Sequence, residues 1–347
     1  MKILKYLLVF IPISLLGEIL HLPQTWMFVF AALAIVPLAG VMGQSTEVIS
    51  YYAGNRVGGF LNATFGNATE LIIAFFAMKA GLFDVVKASI AGSVIGNILL
   101  VLGLSMLAGG IKYKTQYFNQ KVIDVTSSML LFAVIGLTIP AIFTHTVSED
   151  LLTTRYEGLS VVVAVLMFAI YLLSMVFSFY THKDLYATEA EAEEAPKWSL
   201  KKAIILLVIA TVVIGIESEI FVGTVESMTE AMGLSEFFVG IILVPIIGNA
   251  AEHSTAVMMA LKNKMNVAVE IALGSSLQII LFVTPVLILI SLFLTPMSII
   301  FNTFELVALV FSVLIANRLA SDGESNWLEG VQLVAVYIII AAAFFVI

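Results

Sequence analysis

The sequence predicts an all-α integral membrane protein of about 11 transmembrane helices, with one extra N-terminal helix followed by two inverted five-helix repeats. Three observations predict it. The 347 residues are 61% hydrophobic and only 12% charged, where soluble domains average about 25% charged. Apolar runs of about 17 to 25 residues, the length that crosses a bilayer, recur along the whole chain. Finally, the phrase "GNATE" at Gly66 to Glu70 returns as "GNAAE" at Gly248 to Glu252, each time inside such a run.

The runs fall at about 3–20, 26–43, 57–78, 88–110, 125–143, 158–180, 200–222, 234–260, 267–290, 296–316 and 328–347. The first has the basic start and apolar stretch of a signal peptide but no small-residue cleavage site, so it is read as a retained helix. Short cytoplasmic loops carry the excess of Lys and Arg. With the N-terminus cytoplasmic, 13 of the 16 basic residues fall inside, and only Lys79, Lys87 and Arg155 fall outside. The C-terminus is then outside.

The offset from Glu70 to Glu252 is 182, and the offset from Gly92 of "AGSVIG" to Gly274 of "LGSSLQ" is again 182. Two matches at one offset indicate a duplication, with a fainter echo between "YEGLSVVVAV" at Tyr156 and "LEGVQLVAV" at Leu328. The division is 1–22 for the N-terminal helix, 23–181 for the first repeat, 182–199 for a cytosolic acidic linker and 200–347 for the second repeat. Because each repeat has an odd number of spans, the second enters the membrane in the opposite sense. Secondary transporters built this way place their sites near the midplane, between the repeats.

A carboxylate in a bilayer is expensive and is usually kept for function. Asn67 and Glu70 are three residues apart, as are Asn249 and Glu252, so each pair shares a helical face. Gly66 and Gly248 have weak helix propensity and permit close packing and local unwinding. Two carboxylates with neutral oxygens and no cysteine describe a hard-cation site, and Ca2+ suits it better than Mg2+, which holds its water in strict octahedral geometry. Burial and mutual repulsion favour protons on such a pair when the cation is absent, so Ca2+ and H+ are expected to compete for it. In the fourth and ninth runs, Ser93 and Asn97, and Ser275 and Gln278, offer further oxygens on shared faces. The repeat is imperfect there, since the same offset carries Asn97 to Ile279, one position beyond Gln278. Small residues such as Gly92 and Gly96 also serve plain helix packing.

Other polar residues have plainer readings beside the sharp ones. His253 is a proton-relay candidate, a neighbour of the site or a packing residue. Asp124 and Glu305 read as interface anchors more than proton-path residues. Glu217, Glu219, Glu226 and Glu230 read as a solvated rim that attracts cations. The linker acids Glu189, Glu191, Glu193 and Glu194 supply half of the net charge of −8; they read as a solvated linker or as a cytosolic Ca2+ sensor.

The phrases "GNATELIIA", "GNAAEHSTAV", "AGSVIGNILLVLG" and "LGSSLQIILFVTP" closely resemble the calcium/proton exchanger (CAX) branch of the cation/calcium exchanger superfamily, over helices two to eleven. The resemblance implies that Glu70 and Glu252 are the central Ca2+- and proton-binding carboxylates. It implies that Asn67, Asn249, Ser93, Asn97, Ser275 and Gln278 are their polar partners, and that the linker is the family's cytosolic acidic helix. Sodium-coupled relatives usually carry GTS-type phrases with a proline before the acid, which this chain lacks. It also lacks the long N-terminal extension of vacuolar members, so a prokaryotic plasma membrane is expected.

The expected activity is exchange of cytosolic Ca2+ for H+ by alternating access at the paired glutamates. Rivals are a Na+-coupled or broader divalent (Mn2+) exchanger and, further off, a cation channel, for which no ring of pore-lining residues is visible. An enzyme is disfavoured, because none of His21, His145, His182 and His253 lies in an H-E-x-x-H phrase and no nucleophile-base set is apparent. No cofactor is expected beyond the transported Ca2+ and H+. The partners are those ions and the lipid bilayer, nucleic acid is not suggested, and a homo-oligomer stays open.

Overall fold

The apolar runs become helices, and the polar phrases inside them become the places where helices break. The computed structural model describes residues 4–146, 149–186, 196 and 198–346. After a turn at Leu4–Leu7 come α1 (Phe10–Ile19), α2 (Gln24–Ala53), α3 (Asn55–Phe65), α4 (Ala68–Lys79), α5 (Phe83–Tyr113), α6 (Gln120–Thr146) and α7 (Glu149–Val176). The second half holds α8 (Leu200–Gly223), α9 (Val225–Met232), α10 (Glu236–Gly248), α11 (Ala250–Leu261), α12 (Met265–Ser291), α13 (Thr303–Leu319) and α14 (Trp327–Val346). Among the described residues seven helices are long and apolar enough to cross a membrane, namely α2, α5, α6, α7, α8, α12 and α14. The chain is an integral membrane protein.

The remaining predicted spans explain themselves locally. The run at 57–78 is split into α3 and α4, and the run at 234–260 into α10 and α11. The run at 296–316 turns helical only at Thr303, because Asn302 caps there: its side chain accepts from Phe304 N at 2.9 Å, and Glu305 accepts from Asn302 N at 2.6 Å. Glu305 is thereby a buried capping residue, whereas Asp124 is exposed, so the two are not counterparts.

The long helices α2 and α8 run along each other and form the spine of the molecule. Around it, α5 and α12 carry π-helical turns at Gly96–Val101 and Ile279–Val283, and α10 carries one at Val239–Leu243. Proline explains two of them. Pro245 and Pro285 have no N–H to give the carbonyl four residues earlier, so the ladder shifts just before each. In the turn before Pro285 the Ile279 carbonyl accepts from both Thr284 N and Thr284 Oγ1, the latter at 2.8 Å.

Pro245 cannot donate to the Ile241 carbonyl, and α5 crosses α10 at that point. A Cβ on Gly92 would strike this carbonyl, and one on Gly240 would stand 2.8 Å from the Ala88 side chain. The crossing needs both glycines. At Gly274, the counterpart of Gly92 in the second half, an added Cβ meets nothing within 4 Å.

The loops sort into two faces. At one, the strands β1 (Thr115–Tyr117) and β2 (Glu324–Asn326) pair antiparallel, with Gln116 opposite Ser325. There Lys112 Nζ donates to the Leu261 carbonyl at 2.8 Å, Gln116 Nε2 to Ala260 at 2.9 Å, and Asn119 Nδ2 to Leu185 at 3.1 Å. These bonds hold together loops that the charge distribution assigns to one side. At the other face Lys79 pairs with Glu219 at 3.3 Å.

The glycine contrast gives a stability test. Gly92→Ala is expected to lower stability by about 1–3 kcal/mol, the usual cost of overpacking against backbone that must shift. Gly274→Ala is expected to be neutral or to stabilise by up to about 1 kcal/mol through helix propensity. Thermal unfolding of the two purified variants in detergent checks the difference.

Candidate functional site

Each repeated phrase sits at a helix break. Asn67 (φ −101°, ψ 23°) and Asn249 (φ −95°, ψ 6°) leave the helical region, and a new helix starts at the next residue. Glu70 and Glu252 therefore lie in the first turns of α4 and α11, where the positive end of the helix dipole favours negative charge. Neither asparagine side chain caps its own helix. Both reach across the molecule instead.

The two breaks seat into each other. A Cβ on Gly248 would stand 3.2 Å from Glu70 Oε1, and one on Gly66 would stand 3.6 Å from both Glu252 Oε1 and Gln278 Oε1. The carboxylate of each break thus packs on the bare glycine of the other.

Around them runs a buried network. Asn249 Nδ2 donates to Ser93 Oγ at 3.2 Å, and Ser275 Oγ donates to Asn67 Oδ1 at 2.9 Å. The repeat offset relates these two contacts to each other, since it carries Asn67 to Asn249 and Ser93 to Ser275. Asn67 Nδ2 also donates to Gln278 Oε1 at 2.6 Å, and Asn97 Nδ2 donates to Ser275 Oγ at 3.1 Å. Asn97 Oδ1 in turn meets His253 Nε2 at 3.1 Å. The structure so brings together all eight predicted site residues and His253.

The imperfect register has a plain cause. The counterpart of Gln278 in the first half is Gly96, which has no side chain, so the first half leaves empty what Gln278 fills in the second. Asn97 is one position further round its helix and serves Ser275 and His253 instead.

Three buried oxygens in the network have no hydrogen-bond partner: Glu70 Oε2, Glu252 Oε2 and Asn249 Oδ1. Unsatisfied buried oxygens are costly, and a cation satisfies several at once. Among the described residues no three of His, Asp and Glu gather at one point, so any further ligands for a cation are neutral oxygens. A water-sized cavity of about 10 Å3 adjoins Glu70 and is bordered by Ser89, Ser93, Val244, Ile279 and Val283. Ser89 went unnoticed in the sequence, although it precedes Ser93 by one helical turn. The linker acids Glu189, Glu191, Glu193 and Glu194 lie outside the described residues.

The sequence profile described as sodium/calcium exchanger protein matches residues 23–180 and 202–346. The chain belongs to the sodium/calcium exchanger protein family. It is 48% identical to a Ca2+/H+ antiporter of Aphanothece halophytica, over 98% of this chain and 95% of that one. It is 46% identical to the Ca2+/H+ antiporter ChaA of Bacillus subtilis, over 96% of each. The crystal structure of the Ca2+/H+ antiporter protein YfkE matches it with a TM-score of 0.86 at 41% identity, over 100% of both chains. As a member of this exchanger family the chain is a membrane transporter and not an enzyme.

Within the network Ser275 is a hub that accepts one bond and donates another, whereas Ser93 only accepts. Ser275→Ala is expected to destabilise the protein by about 1–3 kcal/mol, because it strands both Asn67 Oδ1 and Asn97 Nδ2. Ser93→Ala strands one amide that keeps its bond to the Pro245 carbonyl, so its loss is expected to be smaller. Thermal midpoints measured without Ca2+ would rank the two.

Proposed function

We propose that the chain exchanges cytosolic Ca2+ for H+ across a prokaryotic plasma membrane. Glu70 and Glu252 form the shared site, and Asn67, Asn249, Ser93, Asn97, Ser275 and Gln278 supply neutral oxygens or hold the carboxylates in place. His253, bonded to Asn97, joins this network as a titratable group and is the candidate relay for protons. The acidic linker of 182–199 stands as the candidate cytosolic sensor.

The observation that carries the reading is the reciprocal seating of two carboxylates on the opposite glycines, with one oxygen of each left unpaired. The curated relatives' names supply the ions: both are Ca2+/H+ antiporters. The pair can be neutralised by one Ca2+ or by two protons, which makes the two loads alternatives for one place.

The architecture we propose has eleven spans. The seven long helices are joined by α1, by the broken pairs α3–α4 and α10–α11, and by α13, which form an N-terminal helix and two inverted repeats, 23–181 and 200–347. One family profile matching the two stretches separately supports the duplication. The face that gathers Lys112, Lys262, Lys264 and Arg318 is then cytoplasmic, as are the N-terminus and the linker, and the C-terminus is outside. In this arrangement α5 and α10 close tightly at Gly92 on the outer side, while Gly274 is uncrowded on the inner side. That asymmetry supports an inward-facing state.

Purified protein in liposomes is expected to take up Ca2+ under an imposed pH gradient and not under a Na+ gradient. Glu70→Gln and Glu252→Gln should each abolish uptake. Uptake that ignores the pH gradient, or that survives both substitutions, would sink the proposal. Uptake driven by Na+ would instead favour the sodium-coupled alternative, and the same assay with Mn2+ measures selectivity.

A further inference from the structure

Away from the paired glutamates, one acid contradicts the solvated rim expected of it. Glu217 is fully buried on α8 with neither carboxylate oxygen bonded, while its neighbour Glu219 is exposed and paired with Lys79. The difference is rotational. The buried positions of α8 include Ala203, Ala210, Ile214, Glu217 and Phe221, a stripe at helical spacing that faces α2, and Glu219 is turned off it.

Two further orphans accompany it, one on α1 and one next to it in the sequence of α8. Ser14 is a buried residue of α1, on the face that also packs Gly17 against Met27 of α2, and its Oγ lies beside Glu217 without closing a hydrogen bond. Ser218 Oγ, the next side chain on α8, is likewise buried and unbonded. Among the described residues Ser105 of α5 is a similar orphan, but several other buried helical hydroxyls behave differently. Thr46, Ser276 and Ser312 each donate to the carbonyl one turn earlier, at 3.0, 2.8 and 2.6 Å. Ser14 and Ser218 keep their hydroxyls free of that bond.

Among the described residues no charged partner accounts for Glu217. On the elements packed around it, Glu18 of α1 is exposed, and Glu47, Tyr51 and Tyr52 lie in the last turns of α2. Lys79 of α4 is engaged by Glu219, and Glu226 and Glu230 of α9 are exposed. Glu70, at the start of α4, belongs to the network described above. One carboxyl and two hydroxyls also fall short of the six to eight oxygens that Ca2+ takes. An isolated carboxylate in such a seam would bear the full cost of desolvation. A carboxylic acid bears little of it, and its O–H can donate to a hydroxyl oxygen that would otherwise be orphaned.

We propose that Glu217, with Ser14 and Ser218, is a second proton-binding site, separate from the Glu70/Glu252 pair and sealed by the N-terminal helix. The bound proton lets the acid donate to a serine Oγ while a serine hydroxyl donates to its carbonyl oxygen, tying α1 to α8. The position is peculiar to the second half, since its counterpart in the first is Ile35, buried and apolar.

Infrared difference spectra of the full-length protein in phospholipid vesicles test this without reference to transport. Wild type minus Glu217→Gln should contain one carboxylic-acid carbonyl band that downshifts in D2O and persists in saturating Ca2+. Ser14→Ala should move that band, because it removes a hydrogen-bond partner. If Glu217→Gln does not fold, Glu217→Asp, which keeps an acid in an altered position, should shift the same band. Absence of the band, its removal by Ca2+, or a frequency unmoved by both Ser14→Ala and Ser218→Ala would overturn the assignment.

Discussion

Everything at the centre of this molecule follows from placing two carboxylates where water is scarce. Each helix break supplies one acid in a first helical turn and one bare glycine, and each acid rests on the glycine of the other break. Neither half can build this alone. The glycine needs a partner acid to fill its surface, and the acid needs a backbone that approaches without a side chain in the way. The rest of the shell then has a defined task. Asn67, Asn249, Ser93 and Ser275 tie the two breaks together through side-chain bonds across the molecule, leaving one oxygen of each carboxylate unclaimed. A shell that satisfied those oxygens permanently would leave nothing for an ion to gain.

The two halves are related at the centre and differ around it, and the differences lie where a change of access would act. Pro245 cannot donate to the carbonyl that packs on Gly92, while its counterpart in the first half is Ala63, which has an N–H to give. Gln278 bonds to Asn67, while its counterpart Gly96 has no side chain to offer Asn249. Ser275 donates to Asn67 Oδ1, whereas Ser93 accepts from Asn249 Nδ2, so Asn67 is fully engaged and Asn249 keeps a free carbonyl oxygen. Around the perimeter, α3 packs chiefly on α2, whereas α11 is held at its end by Lys112, Tyr113 and Gln116. In the inward-facing reading, α3 is the less restrained of the two inner half-helices.

Much of this was legible in the residues because short-range rules act strongly in lipid. A glycine before each Asn and acid permits local unwinding, and the constant offset between the halves says that the two phrases correspond. The eight polar residues that the structure brings together were singled out because polarity is rare in such helices. What the residues did not reveal is long-range or rotational. The third and eighth runs read as single spans, although the repeated phrase breaks each of them. The tenth run began too early, because hydropathy does not register the capping box at Asn302. Glu217 was grouped with Glu219 by proximity in sequence, although two residues in a helix place side chains on nearly opposite faces. The stripe of Ala210, Ile214 and Phe221 held the signal, and a count at helical spacing would have moved Glu217 inside.

The charge arithmetic of the proposed site leads to coupling without any further device. Two carboxylates carrying one Ca2+, or carrying two protons, present no net charge to the membrane interior. Two bare carboxylates present two, with oxygens already short of partners. Rearrangement of the loaded forms therefore avoids a desolvation cost that the empty, ionised form must meet in full. An exchanger requires that asymmetry, because a site that crosses only when loaded must return with the other load. Neutral amides and hydroxyls in the surrounding shell preserve the balance, whereas a third carboxylate would leave the Ca2+-loaded form charged. The separation of Glu217 from this site matters for the same reason. An acid sealed in the α1 seam does not enter the count.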